Sequence, residues 1–172
     1  DIQEGDELIE VGLTEGSADV ILGTRKGMAI RFHEDDVRPM GRDTRGVKGI
    51  TLGKEEDGVV GMVVVRREGT LLTVAENGFG KRTRISDYPV QRRGGKGVIT
   101  MKPSERNGEV LTLKEVVDSD ELMLISRKGI IIRQPADQVS IIGRNTQGVR
   151  LMNVPEGDHV VDVARVMEKE ET

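Results

Sequence analysis

Short apolar runs separated by glycine-containing turns cover most of the chain. The segments VILGTRKGMAIRF (20–32), LLTVAENGFGKRT (71–83) and LMLISRKGIIIRQ (122–134) each contain two such runs around a Lys-Gly or Asn-Gly pair. These pairs favour a tight hairpin turn, because glycine readily adopts the positive φ that such a turn needs. No long segment has the 3.6-residue periodicity of an amphipathic helix. The pattern therefore predicts an all-β protein made of short strands.

The same pattern recurs every 51 residues without a gap. Glycines, arginines and apolar positions all align at this period, which is typical of a repeat architecture. The aligned sets include Gly27, Gly78 and Gly129; Gly46, Gly97 and Gly148; Arg31, Arg82 and Arg133; Arg42, Arg93 and Arg144; Val37, Tyr88 and Val139; and Arg45, Lys96 and Gln147.

The repeat predicts three four-stranded blades in a propeller-like array, because one such unit cannot bury its sheet faces alone. In each unit the hairpin is followed by a loop, a Gly-Val pair and a last apolar run such as VVGMVVV (59–65). The stretch GDELIEVGLT (5–14) resembles that last run, so residues 1–18 are interpreted as the remnant strand of a preceding blade. Three blades predict an open arc, which is either part of a larger array or associates with itself. The predicted blades are residues 19–66, 70–117 and 121–166.

Composition narrows the possible chemistry. The 172 residues include no cysteine, which excludes disulfides, thiolate catalysis and cysteine-type zinc sites. His33 and His159 lie far apart without ligand-like spacing, so we expect ordinary surface or edge residues and neither a metal nor a cofactor. No apolar run reaches membrane-spanning length and no secretory signal opens the chain, which indicates a cytoplasmic protein. The first residue, Asp1, is not a methionine, which suggests a piece of a longer chain.

Positive charge is concentrated around one glycine-rich loop. The chain has a net charge of −4, yet residues 79–102 contain seven basic residues and one acidic residue. Glycines allow a backbone to approach phosphates and present its N–H groups, while arginine and lysine supply charge. The shared glycine of each Gly-Val pair is itself explained by a turn. The DNA-binding candidates in this unit are Gln91, Arg92, Arg93, Gly94, Gly95, Lys96 and Gly97, with Lys81, Arg82, Arg84 and Lys102.

The first and third units carry weaker versions of this basic cluster. Because the cations recur at one period, we expect them on one edge of the array, as a track for a bent duplex. The scarcity of aromatic residues argues against single strands, which need stacking platforms. Tyr88 aligns with two valines and is expected in the core. The further candidates are Arg31, Arg42, Arg45 and Lys48 in the first unit and Arg133, Arg144 and Arg150 in the third.

Residues 91–97, Gln-Arg-Arg-Gly-Gly-Lys-Gly, match the signature known as the gyrase A box. With this box and the blade length, essentially the whole chain resembles the C-terminal DNA-wrapping domain of bacterial DNA gyrase A. In that family the box belongs to the first blade, whereas here a full blade precedes it, so residues 91–97 are either the box or a second, box-like copy. Further matching stretches are GDELIEV (5–11), ENGFGKRT (76–83), SERNGEV (104–110) and GRNTQGVRL (143–151).

The resemblance implies a β-pinwheel, commonly of six blades, of which this chain would be the last three. It implies a basic rim that wraps duplex DNA and supports negative supercoiling in the bacterial cytoplasm, at the nucleoid. The implied partners are duplex DNA, the rest of gyrase A and the gyrase B protein, with self-association of the three blades as a further possibility. The parent would be an ATP-dependent type IIA topoisomerase, and no residue here aligns with its catalytic groups.

Other functions remain open alternatives. The corresponding domain of topoisomerase IV is a close variant, but it typically lacks an intact box. A protein-interaction scaffold suits the acidic net charge and predicts no salt-dependent DNA affinity. A phosphate-loop enzyme needs the spacing Gly-x-x-x-x-Gly-Lys followed by Ser or Thr, whereas Gly97 follows Lys96.

Acidic residues form runs without the spacing of a metal loop and are interpreted as solvated turns. The C-terminal residues 167–172 form an acidic tail, which is expected to be disordered and to compete with DNA for the basic rim. The runs contain Asp35, Asp36, Glu55, Glu56 and Asp57.

Overall fold

The computed structural model of the chain describes residues 2–53 and 56–166, so Glu55 and the acidic tail at 167–172 lie outside the described residues. The described residues form eleven strands and three short 3₁₀ helices, which confirms the all-β prediction. The strands are β1 (Asp19–Thr24), β2 (Met28–His33), β3 (Val59–Val65), β4 (Thr70–Ala75), β5 (Phe79–Arg84), β6 (Val98–Ile99), β7 (Val110–Val116), β8 (Glu121–Ser126), β9 (Ile131–Pro135), β10 (Val149–Arg150) and β11 (Val160–Val166). The 3₁₀ helices are Glu34–Asp36, Ile85–Asp87 and Ala136–Gln138.

Each unit begins with the predicted hairpin. Strands β1 and β2, β4 and β5, and β8 and β9 are antiparallel neighbours. The turn residues Gly27, Gly78 and Gly129 have φ values between +82° and +88°, which confirms the assignment of these turns to glycine. The last apolar run of each unit then pairs with the first strand of its hairpin.

The fourth strand of a sheet comes from the following unit, which differs from the self-contained blades expected from the sequence. Strand β6 pairs with β2, and β10 pairs with β5, giving the orders β3-β1-β2-β6 and β10-β5-β4-β7. Arg31 explains the exchange, because its guanidinium donates to the carbonyls of Ile85 (3.0 Å) and Tyr88 (3.2 Å) and holds the next unit's loop on its own sheet. Among the described residues the third sheet has three strands, in the order β11-β8-β9.

Residues 2–18 contain no strand, although the sequence predicted one here. A strand forms backbone-to-backbone hydrogen bonds with its neighbour, whereas a side chain takes part in each of the hydrogen bonds that attach this segment near β3. The segment instead lies along β3, where Glu10 accepts a hydrogen bond from the backbone N–H of Met62 (3.0 Å) and the carbonyl of Leu13 accepts one from Arg66 (2.6 Å). Its apolar side chains, Leu8 and Val11 among them, are exposed.

The hydrophobic core lies between neighbouring sheets, as a stacked repeat requires. One cluster joins the first and second sheets and contains Ile21 and Leu71; another joins the second and third and contains Leu72 and Leu122. Tyr88 is 1% exposed, and its hydroxyl lies 2.7 Å from Thr100 Oγ1, which confirms its predicted place in the core. Because each unit buries its faces against its neighbours, the units depend on one another for stability.

Substitution of Gly97 by alanine is expected to destabilise the fold by about 3 kcal/mol, because two costs add. Gly97 has a φ of +71°, and a Cβ there would overlap the carbonyl oxygen of Ala29 in β2. Gly46 is the matched control, since it has a φ of +73° but nothing within 4 Å of an added Cβ. Gly46→Ala should cost about 1 kcal/mol, the backbone strain alone. Denaturant unfolding of both variants measures the difference, and equal losses would contradict the proposed overlap.

Candidate nucleic-acid interface

Three loops follow one another along the outer edge of the array, and they are here called the basic rim: residues 42–51, 91–102 and 142–150. The first and second loops touch where the N–H of Gly94 donates to the carbonyl of Gly49 (2.8 Å) and the N–H of Thr51 donates to Gly95 (2.8 Å). The second and third touch where the N–H of Lys102 donates to the carbonyl of Thr146 (2.9 Å). The three loops therefore form one continuous path.

The basic rim is strongly positive although the whole chain is acidic. Its three loops contain nine basic residues and one acidic residue, Asp43, in a chain of net charge −4. Such an uneven distribution produces a local positive potential that attracts polyanions. The basic residues are Arg42, Arg45, Lys48, Arg92, Arg93, Lys96, Lys102, Arg144 and Arg150.

Seven of these nine side chains are exposed to solvent. Arg92 and Lys96 flank the glycine pair of the central loop, and neither forms an ion pair within the part of the chain that the structure describes. The guanidinium of Arg150 lies 4.7 Å from the ring centroid of Phe79, which orients it without neutralising its charge. The seven exposed residues are Arg42, Arg45, Lys48, Arg92, Lys96, Lys102 and Arg150.

The other two rim cations, Arg93 and Arg144, join neighbouring loops. The guanidinium of Arg93 donates to the backbone carbonyls of Asp36 (2.9 Å) and Lys48. The backbone N–H of Arg93 also donates to the carboxylate of Asp36 (3.2 Å). Arg144, one repeat later, donates to the carbonyl of Ile99 at 3.0 Å. Each arginine fixes the basic loop of its own unit against the loop of the preceding unit. Asp36, which the sequence assigned to a solvated turn, takes part in this joint.

Residues 91–97 lie on the edge of the first sheet rather than projecting from the second. The N–H of Gln91 donates to the carbonyl of Arg31 (2.7 Å), and Thr51 Oγ1 donates to the carbonyl of Gly94 (2.6 Å). Gly94 and Gly97 have φ values of +85° and +71°. The glycines therefore let the chain turn twice and run close to the neighbouring backbone, while the charged side chains between them stay at the surface.

Arg31, Arg82 and Arg133 share a repeat position that lies at the joint between units. The guanidinium of Arg82 donates to the carbonyl of Val139 (3.0 Å) and to Asp118 (2.6 Å), and its side chain is 4% exposed. Arg31 donates to the carbonyl of Tyr88, the repeat equivalent of Val139, and pairs with Asp19, with 19% of its side chain exposed. The Arg31 and Arg82 side chains are therefore committed to the fold, and their positions do not match the surface role that the sequence suggested.

Lys81, also a sequence candidate, is fully buried. Its ammonium group donates to the carbonyls of Gly143 (2.8 Å) and Arg144 and lies 3.0 Å from the hydroxyl of Thr146. Burial, and secondarily the charge of Arg144, lowers the pKa of Lys81 from 10.5 to about 8. Lys81 therefore positions the basic loop of the third unit from below and is not itself available at the surface.

Two remaining candidates lie apart from the basic rim. Arg84 is exposed at the end of β5, beside a cavity of about 700 Å³ between the first and second sheets that Arg67 and Asp118 also line. Arg133 is exposed on the outer edge of the third sheet, where it pairs with Glu121.

Arg106 is a further cation near the rim that the sequence pattern did not single out. Its guanidinium lies 4.8 Å from the ring of Phe79, on which Arg150 also packs. Arg106 has no basic counterpart in the other units, so the repeat gave no signal for it.

The described residues offer little other chemistry. They contain no group of three or more His, Asp or Glu side chains that could hold a metal ion. None of their helices is long and apolar enough to cross a membrane. His33 lies at the end of β2, 3.3 Å from Asp35, and His159 is half-buried beside β11.

The repeated, stacked sheets define a propeller-like domain of the β-pinwheel class. The family model described as "DNA gyrase C-terminal domain, beta-propeller" matches residues 18–66, 69–116 and 120–167. The chain belongs to this family, the C-terminal domain of DNA gyrase A.

Individual relatives agree with the family. The DNA gyrase A protein of Klebsiella oxytoca is 48% identical over 167 residues, and that of Escherichia coli K12 is 47% identical over 165 residues. These alignments cover 97% and 96% of the chain but 19% of each relative, so the chain spans about a fifth of their length.

Solved structures show the same relationship in three dimensions. A DNA gyrase A C-terminal domain matches with a TM-score of 0.82 at 33% identity, over 88% of this chain and 51% of that one. A C-terminal domain of DNA topoisomerase IV matches with a TM-score of 0.90 at 24% identity, over 97% of this chain and 52% of that one, which shows the shared fold.

Proposed function

We propose that this chain is a non-catalytic module that binds duplex DNA along the basic rim and bends it around the outer edge of the array. The observation that carries the proposal is the continuous contact between three basic loops, each supplied by a different unit. Because the three loops belong to successive units of the array, a duplex that bends around its edge can follow all three. Bending costs several kcal/mol, so several charged contacts must act together.

The arrangement supports contacts to phosphates rather than to bases. Six of the seven exposed rim cations lie on loops and Arg150 lies on the two-residue strand β10, and no long helix in the described residues could enter a major groove. The aromatic residues Phe32, Phe79 and Tyr88 are all buried, so they offer no stacking platform for unpaired bases. Duplex DNA bound through its backbone therefore fits this surface better than a single strand does.

Family membership supports the wider setting of the proposal. The relatives that cover the chain are DNA gyrase A proteins, which belong to type II topoisomerases, and this chain corresponds to about a fifth of their length. In this proposal, catalysis resides in the rest of gyrase A and in the gyrase B protein. Wrapping by the rim would present a DNA segment for strand passage in the bacterial cytoplasm. Residues 91–97 serve as the central contact, whether they are the box or a second copy of it.

Two alternatives have specific support. The topoisomerase IV domain shares the fold, but the identity to the gyrase domain is higher and residues 91–97 contain a full box. A protein-interaction scaffold would suit the acidic remainder of the surface. It does not account for nine basic residues gathered on one edge.

Salt-dependent DNA binding is the direct test. Fluorescence anisotropy would measure the affinity of the chain for short and long labelled duplexes across a salt series. With about six phosphate contacts, log K should fall against log salt with a slope of about −5, a loss of about a thousandfold between 50 and 200 mM salt. Longer duplexes should bind more tightly because they reach all three loops. Binding that is absent or insensitive to salt would favour the scaffold alternative.

A further inference from the structure

Two arginines pack on one buried ring at the joint between the second and third units, which is here called the second joint. Phe79 lies in β5 and is 1% exposed. The guanidinium of Arg150, its partner in β10, lies 4.7 Å from the ring centroid. The guanidinium of Arg106, from the loop at residues 102–108, lies 4.8 Å from the same centroid. These two side chains are here called the arginine pair.

Contact with the ring leaves the hydrogen-bonding groups of the arginine pair unused. Neither guanidinium forms an ion pair or a hydrogen bond within the described residues. The aromatic ring attracts each guanidinium through its charge, while the five N–H donors stay in the guanidinium's own plane. Phosphate oxygens match those donors, because a planar guanidinium can bind them through two parallel hydrogen bonds. The ring also orients both side chains in advance, which reduces the entropy that they lose when an anion binds.

The loop that carries Arg106 is fixed against the basic rim. Asn107 is fully buried, and its side-chain amide donates to the carbonyls of Lys102 (2.9 Å) and Gln147 (3.0 Å), one in the second rim loop and one in the third. The side-chain amide of Asn77 donates to the carbonyl of Arg106 (3.3 Å). The backbone of Arg106 is therefore held in place beside the rim.

The charge around the arginine pair favours an anion. Lys102 begins the same loop as Arg106, and both side chains are exposed. The acidic residue of this loop that precedes Arg106, Glu105, forms no ion pair within the described part of the chain. With Arg150 the cluster has three positive side chains and one negative side chain, which attracts a polyanion.

The joint between the first and second units forms without an arginine pair. Strand β6 pairs with β2 there, just as β10 pairs with β5 in the second joint. One repeat earlier in the sequence, the ring and both arginines are replaced by residues of other kinds. The replacing residues are Met28, Ile99 and Glu55, the last of which lies outside the described residues. The arginine pair is therefore not a requirement for joining two units, and its charge is available for a ligand.

We propose that Arg106 and Arg150, oriented by Phe79, bind the phosphate backbone of a DNA duplex at the second joint. This inference rests on the proposed function, and it adds to the basic rim a contact that the repeat does not provide at the first joint. The contact is made to phosphate oxygens, so it should not depend on the base sequence.

Substitution of Arg106 by alanine tests the contact. Arg106→Ala should weaken duplex binding by about tenfold, and the slope of log K against log salt should become less negative by about one. Arg66→Ala is the matched control, because it removes the same charge at the sheet edge opposite the rim, and it should change both quantities little. Anisotropy titrations across a salt series measure both variants, and circular dichroism verifies that both are folded.

The wild-type titration separates this inference from the proposed function. If the wild-type chain binds duplex with the expected salt dependence, but Arg106→Ala binds as tightly as Arg66→Ala, the proposed function stands and the arginine pair is overturned. A wild-type chain that does not bind duplex overturns both.

A double-mutant cycle tests the role of the ring. Phe79→Met introduces the residue that the first unit carries at this position, so the sheet should still form. Because the ring no longer orients the guanidinium, Arg106→Ala should weaken binding by only about threefold in this background. An equal loss in both backgrounds would mean that Arg106 acts as an unoriented surface charge, which contradicts the proposal.

Competition with inorganic phosphate distinguishes the duplex backbone from a free anion. Millimolar phosphate in place of chloride, at constant ionic strength, should leave duplex binding unchanged, because a free phosphate gains nothing from the neighbouring contacts of the rim. If phosphate displaces the duplex from the wild-type chain but not from Arg106→Ala, the arginine pair is a site for a free anion, and the proposed duplex contact is wrong.

Discussion

Replacing both Arg92 and Lys96 by glutamate should weaken duplex binding by about a hundredfold. It should also make the slope of log K against log salt less negative by about two. Both side chains are exposed at the centre of the basic rim, and neither supports the fold through an ion pair in the described chain. The substitutions remove two phosphate contacts and place two negative charges in the path of the duplex. Anisotropy titrations across a salt series measure both quantities.

A matched double reversal separates local charge from total charge. Arg66 and Lys114 line a cavity beside β3 and β7, at the sheet edges opposite the basic rim. Arg66→Glu/Lys114→Glu changes the net charge by the same amount, so it should lower affinity only through the general field, by a few-fold at low salt. If both double variants lose affinity equally, DNA does not follow the rim.

The repeat made much of the fold predictable, because residues with the same structural role recur at the same position in three copies. The hairpins, their turn glycines and the buried position of Tyr88 all followed from aligned residues and are present in the structure. The exchange of the fourth strand could not be predicted in this way. A Gly-Val strand has the same period whether it pairs within its own unit or with the preceding one. Contacts between units, those of Arg31 and Arg82 among them, decide between the two pairings.

The candidate site was predictable as a charged region but not residue by residue. Lys81 aligns with Ile30 and Ile132, two apolar positions, and that alignment was a signal for burial. Arg82 aligns with two further arginines, and a recurring arginine fits a recurring joint at least as well as a recurring DNA contact. Net charge along the chain cannot separate these roles, because a buried, hydrogen-bonded cation and an exposed one count equally.

Substitution of Arg67 by methionine should destabilise the chain by about 4 kcal/mol at neutral pH, because it removes the cation that is hydrogen-bonded to a buried carboxylate. Arg67 lies in the connection between the first two units, and Asp120 lies in the next connection. The guanidinium contacts both carboxylate oxygens of Asp120, at 2.8 and 3.1 Å, while that side chain is only 3% exposed. It also lies 3.6 Å from the buried carboxylate of Glu115. Denaturant unfolding at pH 7 measures the loss.

The pH dependence identifies Asp120 as the source of that loss. Burial opposes ionisation of this carboxyl, but hydrogen bonds from Arg67 and from the Val117 N–H outweigh it and hold the pKa of Asp120 below 3.8. The unfolded chain binds the proton first on acidification, so this stabilisation is complete above the unfolded pKa and is lost as pH falls through the folded one. In Arg67→Met only the Val117 N–H and the charge of Arg165 still oppose burial, which should raise the pKa of Asp120 above 3.8.

The difference in unfolding free energy between the wild-type chain and Arg67→Met should therefore narrow as the pH falls from 7 towards 4, because Asp120 is protonated first in the variant. Arg66→Met is the control, since it makes the same chemical change at the neighbouring residue, whose exposed guanidinium donates to the carbonyl of Leu13. It should cost no more than about 0.5 kcal/mol and show no such narrowing. If the loss of unfolding free energy in Arg67→Met is the same at every pH, lost packing of the arginine stem, rather than the loss of the ion pair with Asp120, weakens the connection between units.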